Sequence, residues 1–187
     1  MKDTPPPAEA PSPAPGRRHL LIGATALAAA GAGLYSFLHA QGPALGAAES
    51  RFWTLELPQP DGATLRTAAF RGKPLLLNFW ATWCPPCIKE LPEIDRFHTA
   101  MRPQGWGVIG LAVDAPTPVR NFLARQPLGF PVALAGLEGT EMSRELGNTQ
   151  GALPFTVLFD AGGRIVQRKL GETHRAELQA WAAALHR

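Results

Sequence analysis

The sequence predicts an α/β domain with a mixed β-sheet flanked by helices and an N-terminal β-hairpin, preceded by a single N-terminal transmembrane or signal helix. Three observations lead there. Apolar runs of strand length alternate with stretches of helical spacing, the pattern of strands and helices in turn. The last two strand-like runs form a hairpin, so the sheet contains antiparallel as well as parallel pairs. Residues 20–38, LLIGATALAAAGAGLYSFL, carry no charge over a length that can cross a bilayer.

Six of the first fifteen residues are proline, so residues 1–18 are expected to form a cytoplasmic Pro-rich tail without a core. Lys2, Arg17 and Arg18 mark the cytoplasmic side by the positive-inside rule, which places everything after about residue 41 across the membrane. Residues 19–40 read as an uncleaved signal anchor. Alternatively they are an export signal cleaved near HAQ or GAAE, which would leave the domain free in the periplasm. RRHLLIG resembles a twin-arginine signal. Residues 41–50, QGPALGAAES, read as a linker to a domain over residues 51–187.

In a chain of 187 residues, 45% hydrophobic content is enough for a core. The formal charge of +3 comes with no basic run beyond Arg17-Arg18. Nucleic acid is therefore excluded as a partner, because phosphate binding needs a clustered basic patch.

Trp53, Leu55 and Leu57 alternate with polar residues and read as a strand, turned by Asp61-Gly62 into a second short strand around Leu65. The continuous apolar run 74–80, PLLLNFW, reads as a central strand buried on both faces. From Cys84 onward Leu91, Ile94, Phe97, His98 and Met101 follow helical spacing, with Pro92 expected to kink the helix. WGVIGLAV at 106–113 is a second buried strand, and Thr117-Pro118 reads as the N-cap and first turn of the next helix. A short strand near FPVALA follows, then a short helix from about Thr140 to Leu146 stopped by Gly147. FTVLFD and RIVQRKL form the closing hairpin, and Thr173 opens a last helix with Leu178, Trp181 and Leu185 on one stripe.

Only two cysteines occur, Cys84 and Cys87, in FWATWCPPC. A disulfide between them closes a very short loop, for which chain entropy assigns less stabilisation than for a long one. A C-x-x-C that ends a strand and opens a helix is better explained as chemistry, since the helix N-terminus favours a thiolate at the first sulfur. Cys84 then attacks, Cys87 resolves, and the reaction is thiol–disulfide exchange. Pro85 and Pro86 have no N–H to donate to Cys84, so its pKa is expected toward the upper part of the roughly 3.5 to 7.5 range of such sites. The five histidines are scattered, which argues against a zinc site, and no metal or cofactor is expected.

FWATWCPPC resembles the active-site segment of the thioredoxin superfamily, and RGKPLLLNFWATWCPPCIKELPEI is similar to the membrane-anchored TlpA/ResA-like thiol-disulfide oxidoreductases of bacteria. The resemblance covers residues 51–187 and implies a thioredoxin-like fold. It implies that Cys84 and Cys87 are the redox pair, that Trp83 flanks the nucleophile, and that Pro92 is the family's helix proline. Leu153-Pro154 looks like the family's cis-proline, which presents backbone to a substrate strand. Asn78 stands where thioredoxins bury an aspartate, and an amide cannot accept the proton. The resemblance offers Glu90, one turn after Cys87, as the base that takes the Cys87 proton; the alternative is a solvated surface glutamate beside Lys89. Phe155 and the stretch GNTQGALPF depart from the cytochrome c maturation branch.

The resemblance further implies a disulfide reductase of the bacterial cell envelope, acting on exported proteins with disulfides such as apocytochromes in cytochrome c biogenesis. A membrane thiol donor of the DsbD/CcdA type would regenerate it. A disulfide-donating oxidase uses the same two cysteines and stays open, and a copper-binding chaperone is a further alternative. A peroxidase of the peroxiredoxin group uses Thr-x-x-Cys, whereas Thr82 is two residues before Cys84.

Overall fold

The computed structural model describes residues 45–185. The tail expected over 1–18, the transmembrane or signal segment over 19–40 and the first part of the linker lie outside the described residues. Among the described residues no helix is long and apolar enough to cross a membrane.

The domain starts earlier than its sequence suggests. The end of the expected linker, residues 47–50, forms helix α1 (Ala47–Phe52) together with Arg51 and Phe52, because Ala-Ala-Glu favours helix and Phe52 stacks on Phe159 with ring centroids 4.7 Å apart. Trp53 is the C-cap of α1 rather than the first strand residue. Its indole is buried, meets Phe159 edge-on, and donates to the carbonyl of Gly163 at 2.7 Å. Gly163 has φ +84°, and a Cβ there would lie 2.8 Å from the indole nitrogen, so glycine is required on both counts.

Strand β1 (Glu56–Pro58) pairs antiparallel with β2 (Thr64–Arg66), and each turns its central leucine, Leu57 or Leu65, inward. The main sheet has five strands in the order β5-β4-β3-β6-β7, formed by β3 (Leu75–Trp80), β4 (Gly107–Ala112), β5 (Val132–Leu134), β6 (Phe155–Phe159) and β7 (Ile165–Leu170). β3, β4 and β5 run parallel; β6 and β7 are antiparallel additions. All six residues of β3 and of β4 are buried, as a strand covered on both faces requires.

The period of two along β3 assigns its residues to two cores. Leu76 and Trp80 join residues of α2 (Pro85–Met101), α3 (Pro116–Arg125) and α5 (Arg175–Leu185). Leu75, Leu77 and Phe79 join Phe52, Trp53, Leu57, Leu65 and Leu146, the last at the end of α4 (Glu138–Glu145). Burying a side chain such as Leu77 or Leu91 contributes about 1.5–3 kcal/mol each.

Helix α2 runs through Pro92 without ending. Helix α3 begins one turn position before Thr117: Ala115 is the N-cap and Pro116 the first helical residue. Proline suits that place because its missing N–H would have no partner there, and the Ala115 amide is already taken by Asp114 Oδ1 at 2.7 Å.

Candidate active site

The apolar continuity of β3 carries the chain out of the sheet into a turn over residues 81–84, closed by a hydrogen bond from the Cys84 amide to the Ala81 carbonyl at 3.2 Å. Cys84 is the N-cap of α2, with Pro85 and Pro86 filling the first helical positions. It is joined to Cys87 in a disulfide. With both prolines lacking an N–H, the first amide able to reach the N-cap sulfur is that of Cys87, and it donates to Cys84 Sγ at 3.3 Å. Cys84 retains 5% exposure and Cys87 none, so the pair is open to solvent only through Cys84. Trp83 stands 66% exposed beside it, a large apolar surface next to the more exposed sulfur.

The Leu153–Pro154 peptide is cis. Pro154 is buried and its carbonyl accepts from the Gly171 amide at 2.8 Å. Leu153 is half-buried and packs against the cluster that contains Cys84 and Cys87. The sheet places this segment at the active-site end: Phe155 pairs with Phe79, one residue before the end of β3.

Glu90 is fully buried, not a solvated neighbour of Lys89, whose ammonium instead reaches Glu172 at 2.9 Å. One carboxylate oxygen accepts from Asn78 Nδ2 at 2.7 Å, the other from the Thr173 amide at 2.5 Å. Asn78 Nδ2 also donates to Thr156 Oγ1 at 3.0 Å, and Thr156 Oγ1 meets Thr173 Oγ1 at 3.2 Å. The result is a closed buried ring of four residues from β3, α2, β6 and the loop before α5. Asn78 and Thr156 belong to it because they are register partners, so their side chains emerge on the same face of the sheet. Burial pushes the Glu90 carboxyl up to about 7; the hydrogen bonds from Thr173 and Asn78 oppose this, and Glu172 adds to it.

Sequence reasoning missed Thr173 as a partner of Glu90 and Thr156 as the residue that closes the ring between Asn78 and Thr173. The available signal was a lone threonine in the apolar run FTVLF; its use required knowing which residue of β3 lies opposite. It missed Asp114 as well, whose carboxylate binds the turn that carries Trp83 and Cys84.

A model of the family described as Redoxin matches residues 45–185. The chain belongs to the Redoxin family. Its relatives include a thiol-disulfide oxidoreductase ResA of Bacillus cereus, 32% identical over 122 residues that cover 65% of this chain and 68% of the relative. The ResA of Geobacillus kaustophilus is 30% identical over 115 residues, covering 61% and 64%. Among solved structures, a thioredoxin-related protein from Neisseria meningitidis serogroup B is 29% identical with a TM-score of 0.63, covering 70% of this chain and 98% of that one. The structure of dsbF described as from MTB, at 22% identity and a TM-score of 0.63, covers 76% and 99% and shows the same fold. This redoxin is a thiol-disulfide oxidoreductase of the TlpA/ResA-like group within the thioredoxin superfamily, with a thioredoxin-like mixed sheet flanked by helices.

Proposed function

We propose that the chain is a disulfide reductase of the bacterial cell envelope, held in or exported across the inner membrane by residues 20–38 so that the catalytic domain works on the periplasmic or extracytoplasmic face. The observation that carries the reading is the C-P-P-C pair at the start of α2, one sulfur reachable and the other buried one turn before a buried glutamate. In the reduced protein the Cys84 thiolate attacks one sulfur of a client disulfide. A mixed disulfide forms and the first client thiolate leaves. Cys87, giving its proton to Glu90, then attacks Cys84 Sγ, forming the Cys84–Cys87 disulfide and releasing the second client thiolate. Two electrons have passed to the client. Glu90 fits the role because a base with a pKa near the working pH both accepts and returns a proton readily.

Trp83 and the Leu153–Pro154 segment would receive the client backbone. Clients are exported proteins with disulfides, apocytochromes and copper-site proteins among them. A membrane thiol donor of the DsbD/CcdA type restores the dithiol. Equilibration with a thiol buffer tests the direction of electron flow: a potential near the roughly −270 mV of thioredoxin supports the reductase, whereas one near the roughly −120 mV of a strong oxidant makes the chain a disulfide donor.

A further inference from the structure

The turn that delivers Cys84 is held at its middle by one side chain from the loop that follows β4. Thr82 donates twice to Asp114 Oδ2, from its amide at 2.9 Å and from its hydroxyl at 2.5 Å. The other oxygen, Asp114 Oδ1, accepts from the Ala115 amide at 2.7 Å. Asp114 directly follows β4 and Val113, and the Val113 amide donates to the Trp80 carbonyl at 2.8 Å. The end of β4 is thus tied to the end of β3 by backbone, and the turn beyond β3 is tied to Asp114 by side chain.

Three charge-assisted bonds fix one carboxylate, and that carboxylate fixes Thr82, one residue before exposed Trp83 and two before Cys84. The other acidic and basic groups of α2's first turns are spent elsewhere: Lys89 pairs with Glu172, and Glu90 faces the Asn78 ring.

We propose that Asp114 is a positioning residue for thiol–disulfide exchange: it clamps the 81–84 turn through Thr82 and sets a fixed negative charge next to the loop that carries the nucleophile. The sign of its electrostatic effect is determined. A carboxylate bonded to the turn two residues before Cys84 acts to disfavour the thiolate, so the thiol ionises at higher pH. Because a stabilised thiolate favours the reduced form, disfavouring it shifts the pair toward the disulfide and makes the protein the stronger reductant. The prolines after Cys84 withhold amides from the sulfur and act in the same direction. The inference rests on Cys84 being the attacking sulfur.

The test uses the purified full chain in detergent, reduced, with alkylation by iodoacetamide followed against pH and the site of labelling mapped. Asp114→Asn removes the charge and keeps an acceptor for Thr82. Its Cys84 is expected to alkylate at lower pH, with about three- to tenfold more thiolate on the acid side, and the equilibrium with a thiol buffer moves toward the dithiol by a similar factor. Asp114→Glu keeps the charge and is expected to hold the titration within about twofold of the parent. Thr82→Val keeps the charge and loses the hydroxyl bond; its titration stays, while attack on a peptide disulfide slows severalfold at a pH where Cys84 is fully ionised. Parent-like titration and equilibrium in a folded Asp114→Asn protein would overturn the electrostatic part. Parent-like attack by Thr82→Val would overturn the clamp, whether or not Asp114→Asn folds. Labelling at Cys87 in place of Cys84 is a different failure, since it overturns the assignment of the nucleophile.

Discussion

Replacing Glu90 by glutamine removes a buried carboxyl while keeping its shape, and the structure sets the size of the effect. In the parent chain burial holds this group at about 7 against an ordinary 4.5, so the folded protein keeps a proton that the unfolded chain releases. The associated stability is complete below the unfolded value and is lost as pH rises through the folded one. The gap corresponds to roughly 3 kcal/mol, about 2 of it between roughly pH 5.5 and pH 8. Glu90→Gln carries none of this dependence. It does carry a constant cost, because the two donors at 2.7 and 2.5 Å then share one oxygen and an NH2 group, leaving one bond unmade at about 1–3 kcal/mol. Denaturant midpoints of the oxidised full chain, taken across that pH range, separate the two terms. The disulfide keeps the thiols from titrating, and His98, whose pKa burial lowers, is common to both chains and cancels in the difference. The variant is expected to be the less stable protein near pH 5.5 and to draw level with or pass the parent near pH 8. Parallel curves for the two chains would refute the raised pKa and, with it, the assignment of Glu90 as the proton acceptor.

Trp83→Ala removes a side chain that is 66% exposed, so stability should stay within about 0.5 kcal/mol while reduction of a protein disulfide slows; an unchanged rate would show that Trp83 takes no part in docking. Asn78→Asp sets a second carboxyl where Asn78 now donates to Glu90 at 2.7 Å. Two carboxyls that close cannot both ionise in a buried site, so the variant should lose stability more steeply than the parent on the alkaline side in the same denaturant series. Trp53→Phe leaves the Gly163 carbonyl without its 2.7 Å donor and should cost about 1–2 kcal/mol in thermal or chemical unfolding, with no change in the redox potential.

The strands and helices of the domain were legible because their burial follows their period. β3 and β4 read as continuous apolar runs and are buried along their whole length; α2 reads from Leu91, Ile94 and Phe97, all buried. The start of the domain was not legible. AAESRF has too little pattern to be separated from a linker, and only Phe159, far along the chain, gives Phe52 its partner. Thr117-Pro118 looked like a helix start by local chemistry, yet Pro116 supplied the first-turn proline two positions earlier and Asp114 had already engaged the preceding amide.

The sequence by itself singled out the disulfide pair on which the proposed chemistry rests. Cys84 and Cys87 are three apart, follow a buried strand and open a helix, and local helix geometry is enough to make the first the N-cap of that helix and to bring the second within disulfide reach of it. Tertiary structure alone decided what surrounds them. Glu90 could have faced water or core, and it is buried because Asn78 and Thr173 converge from two other elements to satisfy its oxygens, with Thr156 bridging those two donors. Asp114 reaches the turn that carries Cys84 only because β4 lies parallel to β3 and ends beside it. Hydrogen bonds act over about 3 Å, so partners set by register and packing have no trace in linear spacing.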